Sequence, residues 1–187
     1  MSFNQNVFQN ALTCVATAVA LFAAVFAWQQ VDIGREHNKL SVRPILQITP
    51  YLEGTGGRNG LFLTNDGLGP ALLKTFSVRS GSVVREGFGV DQWAEIIATT
   101  KANPACFGTG WPKGETAIKV GAELPLVILT KAEGNTCQLE LIKLIAGPAV
   151  HITVGYESMY GEQKTLVADS RIISKTLDRI YRRLVER

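Results

Sequence analysis

The chain has 187 residues, 46% of them hydrophobic and 19% charged, with a net charge of +3. That length accommodates one domain with a real core. The charges are spread too thinly for a nucleic-acid surface, since no basic run precedes Arg179, Arg182, Arg183 and Arg187 at the C-terminus. The uneven feature is the start of the chain, where nothing is charged before Asp32.

From Ala11 to Trp28 the residues are apolar except for Thr13, Cys14 and Thr17, and Val7 and Phe8 lengthen the stretch upstream. As a helix rising 1.5 Å per residue, it is long enough to cross a hydrocarbon core of roughly 30 Å. Trp28 stands where an interfacial aromatic belongs, just before Gln29, Gln30 and Asp32. A cleaved signal peptide would want a basic start, and Met1 to Asn10 has no Lys or Arg. A buried soluble helix would carry polarity on one face. The expectation is a permanent anchor over residues 1–30, followed by a juxtamembrane stalk over residues 31–41 that extends the helix by a turn or two.

Two signals compete over orientation, and together they set the expectation at an N-terminus outside with the globular domain cytoplasmic, a periplasmic domain being the alternative. The front flank has no basic residue and the rear flank has Arg35, Lys39 and Arg43, which favours an N-terminus outside and a cytoplasmic domain. Cys106 and Cys137 lie in the globular part and would pair as a disulfide if the domain were periplasmic. Cys14 falls within the apolar segment and behaves there as a small apolar residue.

Residues 42–168 read as a β domain. VRPILQITPYL predicts a strand running into the glycine loop from Gly54 to Gly60. GLFLTN and GPALLKTFSV flank Asn65-Asp66-Gly67, a sequence that supplies the left-handed backbone of a tight turn, so the two predict a hairpin. Behind Asp91 as a candidate N-cap, Trp93, Ile96 and Ile97 have helical spacing. NPACFGTGWPKGE reads as a loop, and ETAIKV, LPLVIL, CQLELIKLIA, AVHITVGYES and QKTLVAD read as strands. Seven or eight short strands with turn residues between them predict an antiparallel, immunoglobulin-like β-sandwich. From Asp169 onward, over residues 169–187, Ile172, Ile173, Leu177, Ile180, Tyr181 and Leu184 predict an amphipathic C-terminal helix with a basic face. That face suits packing on the sandwich, anionic lipid or a partner. GPALLKTFSV and GPAVHITVGY echo one another, and a proline at a strand's first residue explains both.

No constellation commits the chain to a reaction. The loop holding Gly54, Gly56 and Gly60 is similar to a dinucleotide loop, but a strand pattern follows it where a phosphate-facing helix is needed. Tyr160 and Lys164 have Tyr-x-x-x-Lys spacing without a cofactor loop. His37 and His151 with three scattered cysteines do not make a metal site, and Gly-x-Ser-x-Gly and Ser-x-x-Lys are absent. Catalytic, cofactor-binding and metal-ligating residues are therefore set at none.

Three segments, REHNKLSVRPIL, LTNDGLGPALLKTF and VGYESMYGE, together resemble a loose family of short, uncharacterised bacterial membrane-anchored proteins. The resemblance implies an anchored β domain and carries over no catalytic residue. The functional expectation is a non-enzymatic, single-pass protein of the bacterial inner membrane whose β domain binds another protein, as an accessory or structural subunit of a membrane complex. Ala16, Ala18, Ala20, Ala23, Ala24 and Ala27 fit close helix approach in lipid. The alternative is a domain sensing a small molecule or glycan at the loop around Trp93 and Trp111.

Overall fold

The computed structural model describes residues 3–53, 57–114, 116–130, 136–146 and 150–169. The chain divides into two compact units, one ending at Ser41 and one beginning at Val42.

The first unit is a single helix, α1 (Phe3–Ser41), of 39 residues. From Leu12 it is long and apolar enough to cross a membrane, and its apolar side chains are exposed all round, Phe22 and Trp28 among them. The expected stalk proves to be more helix. Residues 31–41 continue it without a break, and Ser41 closes it by donating its hydroxyl to the His37 carbonyl at 2.8 Å. The helix stops there because Pro44 disfavours helical backbone at Arg43.

Among the described residues the second unit contains nine strands and two α-helices. In chain order they are β1 (Leu46–Leu52), β2 (Asn59–Asn65), β3 (Ala71–Ser80), β4 (Val83–Glu86), α2 (Trp93–Thr99), β5 (Phe107–Thr109), β6 (Ala117–Ile118), β7 (Glu123–Leu129), α3 (Thr136–Ala146), β8 (Val150–Glu157) and β9 (Gln163–Asp169). They form two antiparallel sheets. One runs β1-β2-β7-β5, the other β4-β3-β8-β9, with β6 pairing onto β3. A single core joins them: Leu61 and Leu63 of β2 and Leu126 of β7 meet Phe76 and Val78 of β3 and Ile152 and Val154 of β8. Each such side chain contributes roughly 1.5–3 kcal/mol by leaving water.

The strands either side of Asn65-Asp66-Gly67 do not form a hairpin. β2 pairs with β1 and β7, whereas β3 pairs with β4, β6 and β8, so the turn carries the chain from one sheet to the other. The hairpins are β1–β2, β3–β4 and β8–β9 instead. Asn65 holds the crossover. Its Oδ1 accepts from the amides of Ile45 and Gly67, its Nδ2 donates to the carbonyls of Gly69 and Ile118, and the side chain is fully buried. The segment after α1 is threaded through this turn: Asp66 N donates to Ile45 O at 2.9 Å and Leu68 N to Arg43 O at 3.0 Å. The fit leaves no room for a side chain at Gly69, where a Cβ would meet the Val42 carbonyl oxygen. Two of the segments that carry the resemblance noted above, around Val42-Arg43-Pro44 and Asn65-Asp66-Gly67, are thus one structural unit.

CQLELIKLIA is also not a strand. Its buried residues Cys137, Leu141, Leu144 and Ile145 recur at helical spacing and define the inner face of α3, while Leu139 and Ile142 point outward. A disulfide joins Cys137 to Cys106, across 31 positions. NPACFGTGWPKGE holds structure of its own, a turn of 3-10 helix at Pro104–Cys106 and then β5. Asp91 supports α2 from one residue ahead of the N-cap, where Gln92 stands: its Oδ1 accepts from Trp93 N at 2.9 Å. The amphipathic helix expected after Asp169 lies outside the described residues, as do Gly54, Gly56 and the second Gly-Pro-Ala.

Candidate functional site

Trp93 and Trp111, where a small ligand was expected, are packed into the core, with ring centroids 6.0 Å apart, and Phe76 stands edge-on to Trp111 at 4.8 Å. Both indole N–H groups are spent on the loop backbone, Trp93 on Gly110 O at 3.0 Å and Trp111 on Gly87 O at 2.8 Å. They close the loop over the core. Tyr160 sits exposed in the β8–β9 turn, and Lys164 lies on β9 opposite Tyr156. Partial burial, with the nearby positive charge of Arg43, lowers the Lys164 pKa from its ordinary value. Gly60, with φ of +155°, opens β2 where the strand passes tightly against Val127, so the sequence after the glycine loop is strand. His37 belongs to α1 and His151 to β8. Among the described residues no cluster of three His, Cys, Asp or Glu could hold a metal ion.

The outward faces of the two sheets differ in how their polar side chains are engaged. On β1-β2-β7 the polar groups saturate one another. The Arg58 guanidinium lies 3.9 Å from the centre of the Tyr51 ring, pairs with Glu53 at 3.2 Å and reaches Glu123 at 3.1 Å. Tyr51 donates its hydroxyl to Glu123 at 2.9 Å, and the two threonines Thr49 and Thr64 bond across the strands. The electrostatics agree. Partial burial and the Glu123 carboxylate raise the Tyr51 pKa, and the backbone N–H and side chain of Arg58 lower that of Glu53.

On the outward face of β4-β3-β8-β9 Lys74 pairs with Glu157 at 3.1 Å, and a different group of polar side chains gathers farther along the strands. Register places Arg79 of β3 directly opposite both Val84 of β4 and His151 of β8. It places Ser77 opposite Glu86 and Thr153, and Thr153 opposite Val167 of β9. These seven residues surround a shallow groove of about 350 Å³. Small hydroxyl residues on the two central strands make its floor, and longer side chains make its rim. Farther along, Gly155 keeps the floor low: its N–H donates to Thr75 Oγ at 3.1 Å, and a Cβ there would collide with that oxygen. Among the described residues the side chains of Ser77, Arg79, Glu86, His151 and Thr153 form no hydrogen bond or ion pair. The groove therefore offers a planar guanidinium, an imidazole, two hydroxyls and a carboxylate around two valines, a mixture suited to recognition.

Sequence reasoning reached His151 and its alternation with Thr153 but assigned no site. The partner row, Ser77 and Arg79, comes from a strand far away in sequence, and only the β3–β8 register brings the two together. Alternation within SVRSG was the available signal, since Val78 and Ser80 point inward and leave Ser77 and Arg79 outside.

No family model matches the chain, and no curated protein or solved structure is similar to it.

Proposed function

We propose that this chain is a single-pass membrane protein whose β domain is a non-enzymatic binding module, with the groove around Ser77, Arg79, His151 and Thr153 as the surface it offers to a protein partner. The observation that carries this reading is a local contrast: Tyr51, Glu53, Arg58 and Glu123 on one sheet pair with one another, whereas among the described residues the side chains of Ser77, Arg79, Glu86, His151 and Thr153 around the groove pair with none. A binding face needs such uncommitted groups, because they exchange water for partner contacts without first breaking internal pairs.

In this reading the domain is an immunoglobulin-like sandwich. The order β1-β2-β7-β5 corresponds to strands A-B-E-D of that architecture, and β4-β3-β8-β9 to C′-C-F-G, with β6 an addition between D and E. The groove then lies on the C′-C-F-G face. α1 is the anchor, and the domain faces an oxidising compartment, on the periplasmic side of a bacterial inner membrane. Support comes from the Cys106–Cys137 bond, because disulfides persist on that side and are reduced in the cytosol. The opposing signal, Arg35, Lys39 and Arg43 behind the span, is only three charges, two of them interleaved with Asp32 and Glu36.

The test uses the full-length protein in its native membrane. Arg79→Glu and Thr153→Arg should abolish recovery of a stoichiometric partner after gentle extraction while leaving the melting temperature unchanged, and a mock change on the other face, Thr49→Arg, should not. Equal recovery by all variants would remove the groove from the reading. A lone monomer whose melting temperature rises with a small polar ligand would favour the sensing alternative, for which a groove of about 350 Å³ is also of suitable size. Thiol trapping in intact cells decides the side: both cysteines alkylated without reductant would place the domain in the cytoplasm.

A further inference from the structure

The groove on β4-β3-β8-β9 carries one fixed cation and one anion, Arg79 and Glu86, and among the described residues neither forms an ion pair. They stand diagonally on neighbouring strands, because Arg79 is opposite Val84 and Ser77 is opposite Glu86. Side chains so placed start roughly 7–8 Å apart. The other diagonal of the same four positions runs from Val84 to Ser77, and one strand farther on it meets Gly155 of β8, which is opposite Thr75. This line holds a valine, a serine and a glycine, so nothing tall stands on it, and at Gly155 the Thr75 hydroxyl leaves no room even for a Cβ. Arg79 and Thr153 lie on one side of the line, and Glu86 and Thr75 lie in the matching places on the other.

We propose that the protein partner of this groove is a second copy of the chain, set face to face with the first about a twofold axis along the Val84–Ser77–Gly155 line. The proposal rests on the binding-module reading and names the occupant. A twofold axis lying in a contact plane sets each residue against the one reflected across it, so the patch must be complementary to itself. This patch is. Arg79 of one copy meets Glu86 of the other and Glu86 meets Arg79, which gives the planar guanidinium a carboxylate to bind in both halves of the contact. Thr153 meets Thr75, hydroxyl to hydroxyl. On the axis Val84, which is 42% exposed, meets its own counterpart and supplies an apolar centre. His151 is reflected onto the position after Glu86, which is Gly87, and so meets no like charge.

The test uses the full-length protein purified in mild detergent, with Cys14→Ser removing the free thiol. Ser77→Cys is the probe on the axis, and Gln47→Cys, exposed on the outward face of the other sheet, is the control. A short bis-maleimide should join Ser77→Cys into a covalent dimer that contains this chain alone by mass, and should leave Gln47→Cys monomeric although its site is the more accessible. Arg79→Glu or Glu86→Arg, each added to Ser77→Cys, should cut the dimer yield about tenfold, because like charges then meet. Mixing these two variants under different tags should restore a mixed dimer, and so should both changes in one chain, a rescue that a misfolded variant would not show. No dimer at 77, or a dimer indifferent to the charge changes, would overturn the proposal. The same variants, extracted from the native membrane, separate the two readings. Loss of a partner of different sequence, without a dimer at 77, would overturn the self-pairing and leave the groove a binding site, whereas undiminished partner recovery by every groove variant would remove the groove itself.

Discussion

The side-chain amide of Asn65 donates to the carbonyl of Ile118 at 3.0 Å, tying the turn that leaves one sheet to the strand that borders the other. With its second N–H on Gly69 O and its carbonyl on two backbone amides, this buried side chain has its hydrogen-bonding capacity filled. Asn65→Ala should cost about 2–4 kcal/mol, because several backbone groups lose their partner out of reach of water. Asn65→Asp should do worse at neutral pH, since a buried carboxylate would face the Gly69 and Ile118 carbonyls. Its pKa in the folded state would be raised above the unfolded value near 3.9. The deficit is therefore full at high pH and shrinks as pH falls through the raised value. Denaturant titrations of the two variants at pH 7 and pH 4 check this, and equal stability of both variants at both pH values would refute it.

The two glycine environments make a matched pair. At Gly69 a methyl group would meet backbone, and Gly69→Ala should cost 2 kcal/mol or more, at about the level of overpacking a core. At Gly87, φ is +95° but the surrounding space is open, so Gly87→Ala should cost only about 1–2 kcal/mol of backbone strain. Thermal melts rank them. The reverse order would mean that the Val42 segment yields more readily than the crossover geometry implies.

Removing the Cys106–Cys137 bond opens a loop of 31 positions. The loop-entropy relation gives about 3–4 kcal/mol for that length. The double variant Cys106→Ser with Cys137→Ser should melt well below the parent, and reductant should lower the parent's transition and leave the variant's unmoved. A parent insensitive to reductant would show that the thiols are not joined.

Glu140 connects α3 to the segment that begins the short 3-10 turn. Its carboxylate accepts from Lys143 at 2.6 Å and from Asn103 N at 2.8 Å, and these bonds, Lys143 first, lower its pKa. A depressed carboxylate pKa stabilises the fold above the unfolded value and loses that contribution as pH falls through the folded one. Glu140→Gln should therefore narrow its stability gap to the parent as pH falls from about 5 to 3. A gap that stays constant over that window would contradict the assignment.

Much of the fold was legible because burial on one sheet face writes period-two alternation into a strand. AVHITVGY shows it without interruption, and β8 follows that pattern residue by residue. Legibility failed where a local signal has two tertiary outcomes. Asn65-Asp66-Gly67 turns the chain whether its flanking strands pair or part, and only β1 and β7, lying on either side of β2, decide the matter. CQLELIKLIA places Leu139 and Leu141 two apart, as a strand would, yet Leu139 faces out and the disulfide partner sets the helical face. The groove was hidden for the same reason: Arg79 and His151 are ordinary surface residues until a register between remote strands makes them neighbours.

The threading of Val42 to Ile45 through the crossover turn also fixes how the domain would bear a load. Ser41 ends α1, and Arg43 two residues on is already held by Leu68 N. A pull on the helix would be delivered at once to the hydrogen bonds at Arg43, Ile45 and Asn65. Those bonds lie where β1 begins beside the end of β2, so the first strand pair to feel the load is β1–β2.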